Sequence, residues 1–527
     1  MLDLLVVGTI HTLDPERPRA EAVLVHEGRI ACVGAEAECA ARAGPGVRRL
    51  RAGSVVPGLA DAHGHVQHLG RARAEVSCAD AASEAECAAR AAQRARAAPP
   101  GTWIRGRGWD QNRWPGARFP SEATLSRAVP DRPVVLVRVD GHASWVNAAA
   151  LRAGGIGPGT PDPPGGRILR GADGRPTGIL VDTAQDLVLG KLPAPSAAEI
   201  EAELLAGLRE LAALGLTEVH DAGVGPEALA VYRRLAAEER LPLRVYAMID
   251  GEGPLPALEA ELARWSGSRE VGRLTVRAVK LFADGALGSR GAALREDYAD
   301  EPGNRGLLLS PPEVLRAKVA AVVRAGFQPC VHAIGDRALG VVLDALEAAG
   351  ELRALRPRVE HLQIALPADL ARLARAGGIA SMQPVHATSD RPWVPARLGA
   401  GTERLRGAYA WRSVLQAGLP LAFGSDFPVE DADPRAGLAA AEERVARDGT
   451  PFTPAQRLTR EEALRAFTQG AAFAAFAEAR RGTIREGRDG DLTLFEEDLL
   501  AVPATRLRDV RVTHTVVGGR VEGGGPR

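Results

Sequence analysis

Two histidines separated by one residue, His63 and His65, end an apolar run in the segment VVPGLADAHGHV. Because side chains alternate between the two faces of a β-strand, these imidazoles point the same way and can chelate one ion. Later apolar runs end in further ligand types, at His332, His361 and Asp426. Imidazole nitrogens and a carboxylate suit zinc or a similar divalent cation. The sequence therefore predicts a metal centre built from the ends of several strands.

Lys280 lies in the β-branched run VRAVKLFADG, which is predicted to be a buried strand. A charged ammonium is costly there, and burial lowers the pKa of a lysine until the free amine becomes accessible. A free amine can add CO₂ and form a carbamate, an anionic ligand able to bridge two cations, which a guanidinium cannot do. The alternative is a structural lysine that forms a salt bridge with Asp284 or Asp221.

Eight segments are predicted to position these residues as strands. Most are followed by an alanine-rich amphipathic segment such as PPEVLRAKVAAVVRAG. This alternation predicts the α/β class and a (β/α)₈ TIM barrel over residues 57–476, with chemistry at the C-terminal ends of the strands. The eight segments are VVPGLADAHGHV, GLTEVHDAGV, LPLRVYAMI, VRAVKLFADG, FQPCVHAIGD, RVEHLQ, GIASMQPV and LAFGSDFPV.

Two further regions are predicted outside the barrel alternation. Residues from about 70 to 210 break the rhythm with strand-like segments such as PVVLVRVDGHASWVN, which indicates an insertion after the first barrel strand. The chain ends, residues 1–56 and 477–527, each contain short strands and turns that are too few to close a core alone. We therefore expect the two ends to pair into one small β-sandwich.

The composition narrows the classes of partner. Acidic and basic residues balance at 66 each, and no basic run with interleaved aromatics occurs, so nucleic acid and membrane surfaces are not expected partners. The N-terminal segment lacks the features of a signal peptide, and the five cysteines form no CxxC pair, which is typical of a reducing compartment. We expect a cytoplasmic protein that binds a small molecule, and a homodimer remains open.

The ordered motifs resemble one family. The sequence is similar to the amidohydrolase superfamily, and within it to the N-substituted formamide deformylase-like (amidohydrolase 3) branch, over nearly the whole chain. The motifs that carry this resemblance are VPGLADAHGH, GWDQNRW, VRVDGHASWVNAAAL, TEVHDAG, VKLFADGALGSRGAAL, VHAIGDRA, EHLQ, SMQPVHATSD, AYAWRS, GSDFPV and LTREEALRAFTQGAA before GTIREGRDGDLTLFEED. The segment from Gly487 to Asp491 departs from the usual pattern of that branch.

The resemblance implies a ligand set for two cations. His63 and His65 would bind the more buried ion, His332 and His361 would bind the second, and carboxylated Lys280 would bridge them. Asp426 would bind the first ion and transfer protons.

It also implies a function. A binuclear zinc-type amidohydrolase of the EC 3.5 type would cleave a non-peptide C–N bond, as in an N-substituted formamide or an acylated amine, by attack of a hydroxide that bridges the metals. Asp426 would act as general base and then as general acid. Hydrolysis of a cyclic amide, an ester or lactone, or a phosphoester at the same metals remains an alternative, and a non-catalytic regulatory metal-binding protein is a third.

Seven residues are candidate substrate contacts, each with an ordinary alternative. His142 binds the polar end of a substrate or caps a helix from Ser144 to Leu151. Aromatic residues of the insertion shape the pocket or pack the insertion, and the pair that ends the second barrel strand lines the site or supports its ligands. The seven candidates are His142, Trp145, Trp109, His220, Asp221, Arg290 and His386.

Overall fold

The computed structural model describes residues 3–72, 75–99, 101–267 and 269–524. The outermost residues of the predicted sandwich segments, 1–2 and 525–527, lie outside that range. The strands within it are, in chain order, β1 (Leu4–His11), β2 (Arg19–His26), β3 (Arg29–Gly34), β4 (Arg48–Pro57), β5 (Leu59–Gly64), β6 (Val76–Ser77), β7 (Ile104–Trp109), β8 (Val134–Arg138), β9 (Ala143–Val146), β10 (Gly166–Arg170), β11 (Pro176–Asp182), β12 (Leu216–Val224), β13 (Arg244–Asp250), β14 (Glu270–Val271), β15 (Leu274–Phe282), β16 (Gln328–Ala333), β17 (Arg358–His361), β18 (Ile379–Met382), β19 (Leu421–Phe423), β20 (Leu492–Phe495), β21 (Val512–Val517) and β22 (Arg520–Gly524).

The helices follow most barrel strands and fill the insertion. They are α1 (Glu36–Arg42), α2 (Val66–Ala72), α3 (Glu84–Ala97), α4 (Glu122–Ala128), α5 (Ala148–Ala153), α6 (Asp186–Leu189), α7 (Ala197–Ala213), α8 (Pro226–Ala237), α9 (Leu255–Trp265), α10 (Pro312–Arg324), α11 (Asp336–Ala348), α12 (Pro367–Arg375), α13 (Pro384–Asp390), α14 (Val394–Leu398), α15 (Glu403–Arg406), α16 (Trp411–Gln416), α17 (Pro434–Glu443), α18 (Arg460–Arg465) and α19 (Ala471–Ala474). None of these helices has both the length and the apolar composition that crossing a membrane requires.

Eight parallel strands form a nearly closed barrel in the order β5, β12, β13, β15, β16, β17, β18, β19. Backbone hydrogen bonds from Asp426 N to His63 O (2.7 Å) and from His65 N to Phe427 O (2.9 Å) join the C-terminal end of the first strand to the segment that follows the last one. Each of the eight segments predicted to be a barrel strand overlaps one of these strands, so the predicted TIM barrel is confirmed. Because all eight strands are parallel, their C-terminal ends meet at one mouth.

The two chain ends share a single seven-stranded sheet, with the order β22, β21, β20, β4, β1, β2, β3. Strand β4 of the N-terminal segment pairs with β20 of the C-terminal segment, from Pro57 opposite Leu492 to Ser54 opposite Phe495. Leu4 and Val6 of the first end and Leu492 and Leu494 of the second belong to one hydrophobic cluster. Neither end could bury these side chains alone. Cys32 of β3 and Cys39 of α1 form a disulfide, which the interpretation of the cysteines as typical of a reducing compartment did not anticipate.

A six-stranded sheet, with the order β10, β11, β9, β8, β7, β6, lies between the first two barrel strands in sequence. It spans residues 76–182 and has a core of its own that contains three tryptophans. Helix α7 falls at the end of the interval predicted to be inserted, yet it packs against α2 and leads into β12. It therefore belongs to the barrel wall.

Candidate active site

The first strand of the barrel ends in the two histidines that are one residue apart. His63 is fully buried, and His65 opens to the cavity above the barrel mouth. Their Nε2 atoms lie 3.7 and 3.3 Å from Asp426 Oδ1, which comes from the segment after β19. These three groups are close enough together to hold one metal ion. Asp426 has a φ of +61°, a left-handed conformation that costs free energy for a residue with a side chain and is often retained at functional sites.

The side-chain amine of Lys280 lies close to His63. It is 1 % exposed, and its Nζ lies 3.2 Å from His63 Nε2. Burial lowers the pKa of Lys280 from its ordinary value, which favours the free amine. The two carboxylates considered as salt-bridge partners are engaged elsewhere: Asp284 accepts hydrogen bonds from backbone N–H groups, and Asp221 accepts from Val66 N and the Tyr232 hydroxyl.

The strands β16 and β17 add two more imidazoles. The ring of His361 lies 4.5 Å from that of His332 and 4.8 Å from that of His63, measured between centroids. His361 also has a positive φ, +72°. The structure thus brings together all six residues that the sequence analysis assigns to the metal centre.

The hydrogen bonds of the imidazoles test whether these residues fit a cation. The Nδ1–H groups of His63, His65 and His361 donate to Glu360 Oε2 (2.5 Å), Ala222 O (2.9 Å) and Gln383 Oε1 (2.8 Å), respectively. The Nε2 lone pair of each of these three rings therefore faces the cluster and is available to bind a metal ion. Burial lowers the pKa of His63 to about 4, which keeps its ring neutral, as a metal ligand must be. This donor set fits divalent cations of the zinc type.

Glu360 is a functional residue that the sequence analysis did not identify. It is fully buried, and its second carboxylate oxygen lies 2.7 Å from Arg358 Nε. A carboxylate that accepts from a ligand histidine fixes the orientation of the ring and raises its basicity. The sequence RVEH could have indicated this residue, because it places two opposite charges, Arg358 and Glu360, two residues apart on a short buried strand.

Asp61 and Ser425 form a second unpredicted pair beneath the site. Asp61 accepts hydrogen bonds from the backbone N–H of His63 (3.0 Å) and from the hydroxyl of Ser425 (2.6 Å). Burial raises the pKa of Asp61 to about 7 in spite of these bonds. The pair ties the strand that carries His63 and His65 to the segment that carries Asp426.

A cavity of about 1600 Å³ opens above the cluster and is lined by barrel loops and by the insertion. His142 of the insertion lines it, and its Nδ1 lies 2.8 Å from Asp182 Oδ1. The ring of His142 lies 5.5 Å from that of His332. The proposed alternative role as a helix cap is wrong, because residues 143–146 form strand β9 and Asn147 caps α5.

His386 also lines the cavity beside the cluster. Its Nε2 lies 3.8 Å from Asp426 Oδ2 and, among the described residues, has no hydrogen-bond partner. The ring is nearly parallel to that of His361, with centroids 6.1 Å apart. His386, His361 and Asp426 form a second group able to hold an ion.

The two tryptophans predicted to contact substrate do not reach the cavity. Trp109 and Trp145 are fully buried in the core of the insertion and donate their indole N–H groups to the carbonyls of Leu136 and Ser121. Their large apolar surface is used to pack the inserted sheet. Their role is therefore structural, which corrects the prediction of substrate contact.

Three other candidates also lie away from the cavity lining. His220 is buried inside the barrel against Arg358 (3.0 Å), and Asp221 holds the backbone after His65 through Val66 N. Arg290 pairs with Asp300 and Glu301 at 3.0 and 3.1 Å. The first two support the ligand strands, and the third is committed to its own ion pairs, so the prediction of substrate contact is corrected for all three.

Comparisons with known proteins identify the family of this chain. The model of the Amidohydrolase family matches residues 50–521. The chain is 32% identical to YtcJ of Bacillus subtilis (strain 168) and 30% identical to the N-substituted formamide deformylase of Arthrobacter pascens, in each case over 98% of both chains. It also superimposes on the crystal structure of an uncharacterized metal-dependent hydrolase from Pyrococcus horikoshii OT3, with a TM-score of 0.78, 25% identity and coverage of 95% of this chain and 99% of that one.

Three observations lead to one conclusion. The family model matches most of the chain, donor groups suited to a metal lie at the mouth of a TIM barrel, and the similar proteins include a metal-dependent hydrolase. The chain belongs to the amidohydrolase family and is a metal-dependent hydrolase.

Proposed function

We propose that this hydrolase cleaves a non-peptide C–N bond, that of an N-substituted formamide or an acylated amine, with two zinc-type cations and a carboxylated Lys280. The observation that carries the proposal is the buried amine of Lys280, 3.2 Å from His63 Nε2 in the middle of the imidazole cluster. Similarity over 98% of both chains to a protein named N-substituted formamide deformylase supports the substrate class.

The residues that would hold the cations are His63, His65, His332, His361 and Asp426, with the carbamate of Lys280 between them. Two bound cations would polarise the amide carbonyl and lower the pKa of the attacking water. This chain's own residues would supply the rest of the chemistry.

Asp426 would move the proton. Its Oδ1 faces His65 and its Oδ2 faces His386, at the floor of the cavity where the amide must lie. A carboxylate in this place can accept the proton of the attacking water and pass it to the nitrogen as the C–N bond breaks. His142 and His386 would contact the substrate, and the buried core of the insertion would keep its cavity wall rigid.

The test is metal content per chain, measured by plasma mass spectrometry on protein purified without chelator. We expect about two ions in the wild type and one or none in Lys280→Ala, partly restored by a short carboxylic acid. The matched control is Lys280→Arg, which keeps a cation but cannot form a carbamate and should also lose metal. Two ions in all three proteins would exclude the carbamate.

A substrate panel tests the reaction itself. It should contain N-substituted formamides, acylated amines, a cyclic amide, a lactone and a phosphotriester. Hydrolysis of the open-chain amides at rates at least tenfold above the other classes is expected. Turnover confined to the lactone or the phosphotriester would contradict the proposal.

A further inference from the structure

Most of the arginine side chains that line the cavity are either paired or exposed. The exposed ones are Arg113, Arg447 and Arg508. Paired with carboxylates are Arg71 with Glu203 (2.9 Å), Arg105 with Glu75 (3.0 Å), and Arg138 with Asp110 (2.6 Å) and Asp140 (2.5 Å). Arg107 belongs to neither group.

Arg107 is directed into the cavity by its strand. In β7 the side chains of Arg105 and Arg107 line the cavity, and the strand packs tightly at Gly106, where the carbonyl oxygen of Val76 would lie 2.6 Å from an added Cβ. The register against β8 shifts after Arg107, at Gly108, which has a φ of +94°. The irregularity therefore falls inside β7, directly after Arg107, and Trp109 is again paired with Arg138 of β8.

Arg107 lacks an ionic partner. Within the described chain no carboxylate lies within 4 Å of its guanidinium, and its only hydrogen bond there is a long one, 3.4 Å, to Val139 O. The side chain is partly buried, and burial lowers its pKa from the ordinary value. A partly desolvated cation with most of its five N–H donors unused is costly, and a bound anion would remove that cost.

The guanidinium also lies in the field of the metal-ligand cluster. The charge of Asp426 acts on Arg107, and the charge of Arg107 acts on His68, whose ring centroid is 5.6 Å from that of His65. The cavity that opens above the metal-ligand cluster therefore also presents a guanidinium without an ionic partner, within electrostatic range of Asp426.

We propose that Arg107 binds a carboxylate carried by the amide substrate, an inference that rests on the amide hydrolase function proposed above. A planar guanidinium pairs with a carboxylate through two parallel hydrogen bonds. The nearby carboxylates of Glu75, Asp140 and Asp426 also act on Arg107, and they would repel a doubly charged phosphate more than a singly charged carboxylate. The reaction is ordinary hydrolysis: the C–N bond breaks, the acyl carbon gains the water oxygen, and the nitrogen gains a proton.

The carboxylate has two possible locations, and two substrate pairs distinguish them. N-formylphenylalanine and N-formylphenethylamine differ by a carboxylate on the amine side. Succinanilic acid and propionanilide differ by one on the acyl side. In the wild-type holoenzyme we expect the charged member of one pair to have at least a 30-fold higher kcat/KM than its neutral partner.

Arg107→Gln should lower that ratio at least 30-fold, mainly through KM, and Arg107→Lys should restore part of it. The matched control Arg447→Gln removes an exposed cavity arginine and should change the ratio less than threefold. Metal content and unfolding temperature of each variant show that the fold is intact. Equal losses on both members of a pair in Arg107→Gln, or no preference in the wild type, would overturn the proposal.

A binding measurement separates this inference from the proposed reaction. Calorimetric titration of 3-phenylpropanoate, which has no amide, into the holoenzyme should give an affinity at least tenfold weaker in Arg107→Gln than in the wild type. If the wild type cleaves neither pair but this difference is found, the amide hydrolase proposal fails while the anion subsite stands. Equal affinities would refute the subsite even if the amides are cleaved.

Discussion

Replacing Glu360 by Gln tests how the barrel interior supports the metal centre. The variant keeps an oxygen that can accept from His63 Nδ1 but removes the charge that now lies 2.5 Å from that nitrogen. Burial raises the pKa of Glu360, yet Arg358 and His63 outweigh it and hold the pKa well below its usual range, so the residue is an anion. Neutralising it should make His63 a weaker ligand.

These contacts set the expected losses of metal affinity and of unfolding free energy in Glu360→Gln. Loss of a carboxylate behind a ligand histidine typically reduces metal affinity by about 10 to 100-fold, or ~1.4 to 2.7 kcal/mol. The change also leaves Arg358 buried without its 2.7 Å ion pair, and breaking a buried pair from one side costs ~3 to 5 kcal/mol. Because Arg358 keeps hydrogen bonds to Ala62 O and Ser381 Oγ, we expect the lower end of that range for the free energy of unfolding.

The matched control is Glu218→Gln. Glu218 is also a buried carboxylate on a barrel strand, and it pairs with Arg481 at 3.0 Å. It touches no ligand histidine directly, because His220 and Arg358 lie between it and the metal-ligand cluster. The Glu218→Gln variant should be less stable than the wild type, and its metal affinity should stay within about threefold of the wild-type value. Zinc competition against a chromophoric chelator and urea unfolding of the metal-free proteins measure the two quantities. Equal zinc affinity in Glu360→Gln and the wild type would refute the role given to Glu360.

Three further outcomes follow from the same structure. Asp426→Asn should retain at least one ion while kcat falls by about 10² to 10⁴-fold, and full activity would remove Asp426 from proton transfer. The pKa of Glu218 is lowered to about 2, because its pairing outweighs the effect of burial, so its ~3 kcal/mol of stabilisation is complete above about pH 4.5 and is lost as the pH falls toward 2. The difference in unfolding free energy between the wild type and Glu218→Gln should therefore shrink over that interval in urea titrations. Gly424→Ala would place a Cβ 2.5 Å from His63 N, so both thermal stability and zinc affinity should fall, and a variant with unchanged values would contradict the closeness of these two strands.

The barrel and its ligand set were predictable because both depend on local pattern. Eight segments of strand length, most of them followed by an amphipathic segment, indicate the strands, and a parallel barrel brings their C-terminal ends together whatever the loops do. The sequence alone therefore predicts that four ligands from different strands converge, without any knowledge of long-range contacts: His63, Lys280, His332 and Asp426. The pairing of the chain ends followed from a simpler argument, that neither end has enough strands to bury its own apolar side chains.

The remaining features depend on which face a side chain takes and on partners far away in sequence. The tryptophans of the insertion look the same in the sequence whether they line a cavity or pack a core, and the inserted sheet uses Trp109 and Trp145 for its core. Arg290 is basic and follows a barrel strand in the sequence, but its guanidinium pairs with Asp300 and Glu301, about ten residues later. Propensity and spacing carry no information about such competition.

The buried charges inside the barrel explain how the metal centre and the floor of the barrel are connected. His220 Nδ1 lies 3.0 Å from Arg358, which pairs with Glu360, and Glu360 accepts from His63, while the other side of His220 faces Glu218 at 3.7 Å. Each charge in this chain is tolerated in the interior only because the next one neutralises it. Removing Arg358 or Glu360 leaves the other buried and unpaired, so the orientation of His63 depends on residues that never touch the cavity. That dependence gives Arg358 and Glu360 their place in the barrel: Arg358, which also contacts His220, holds Glu360 in its ionised form, and Glu360 orients the ring of His63.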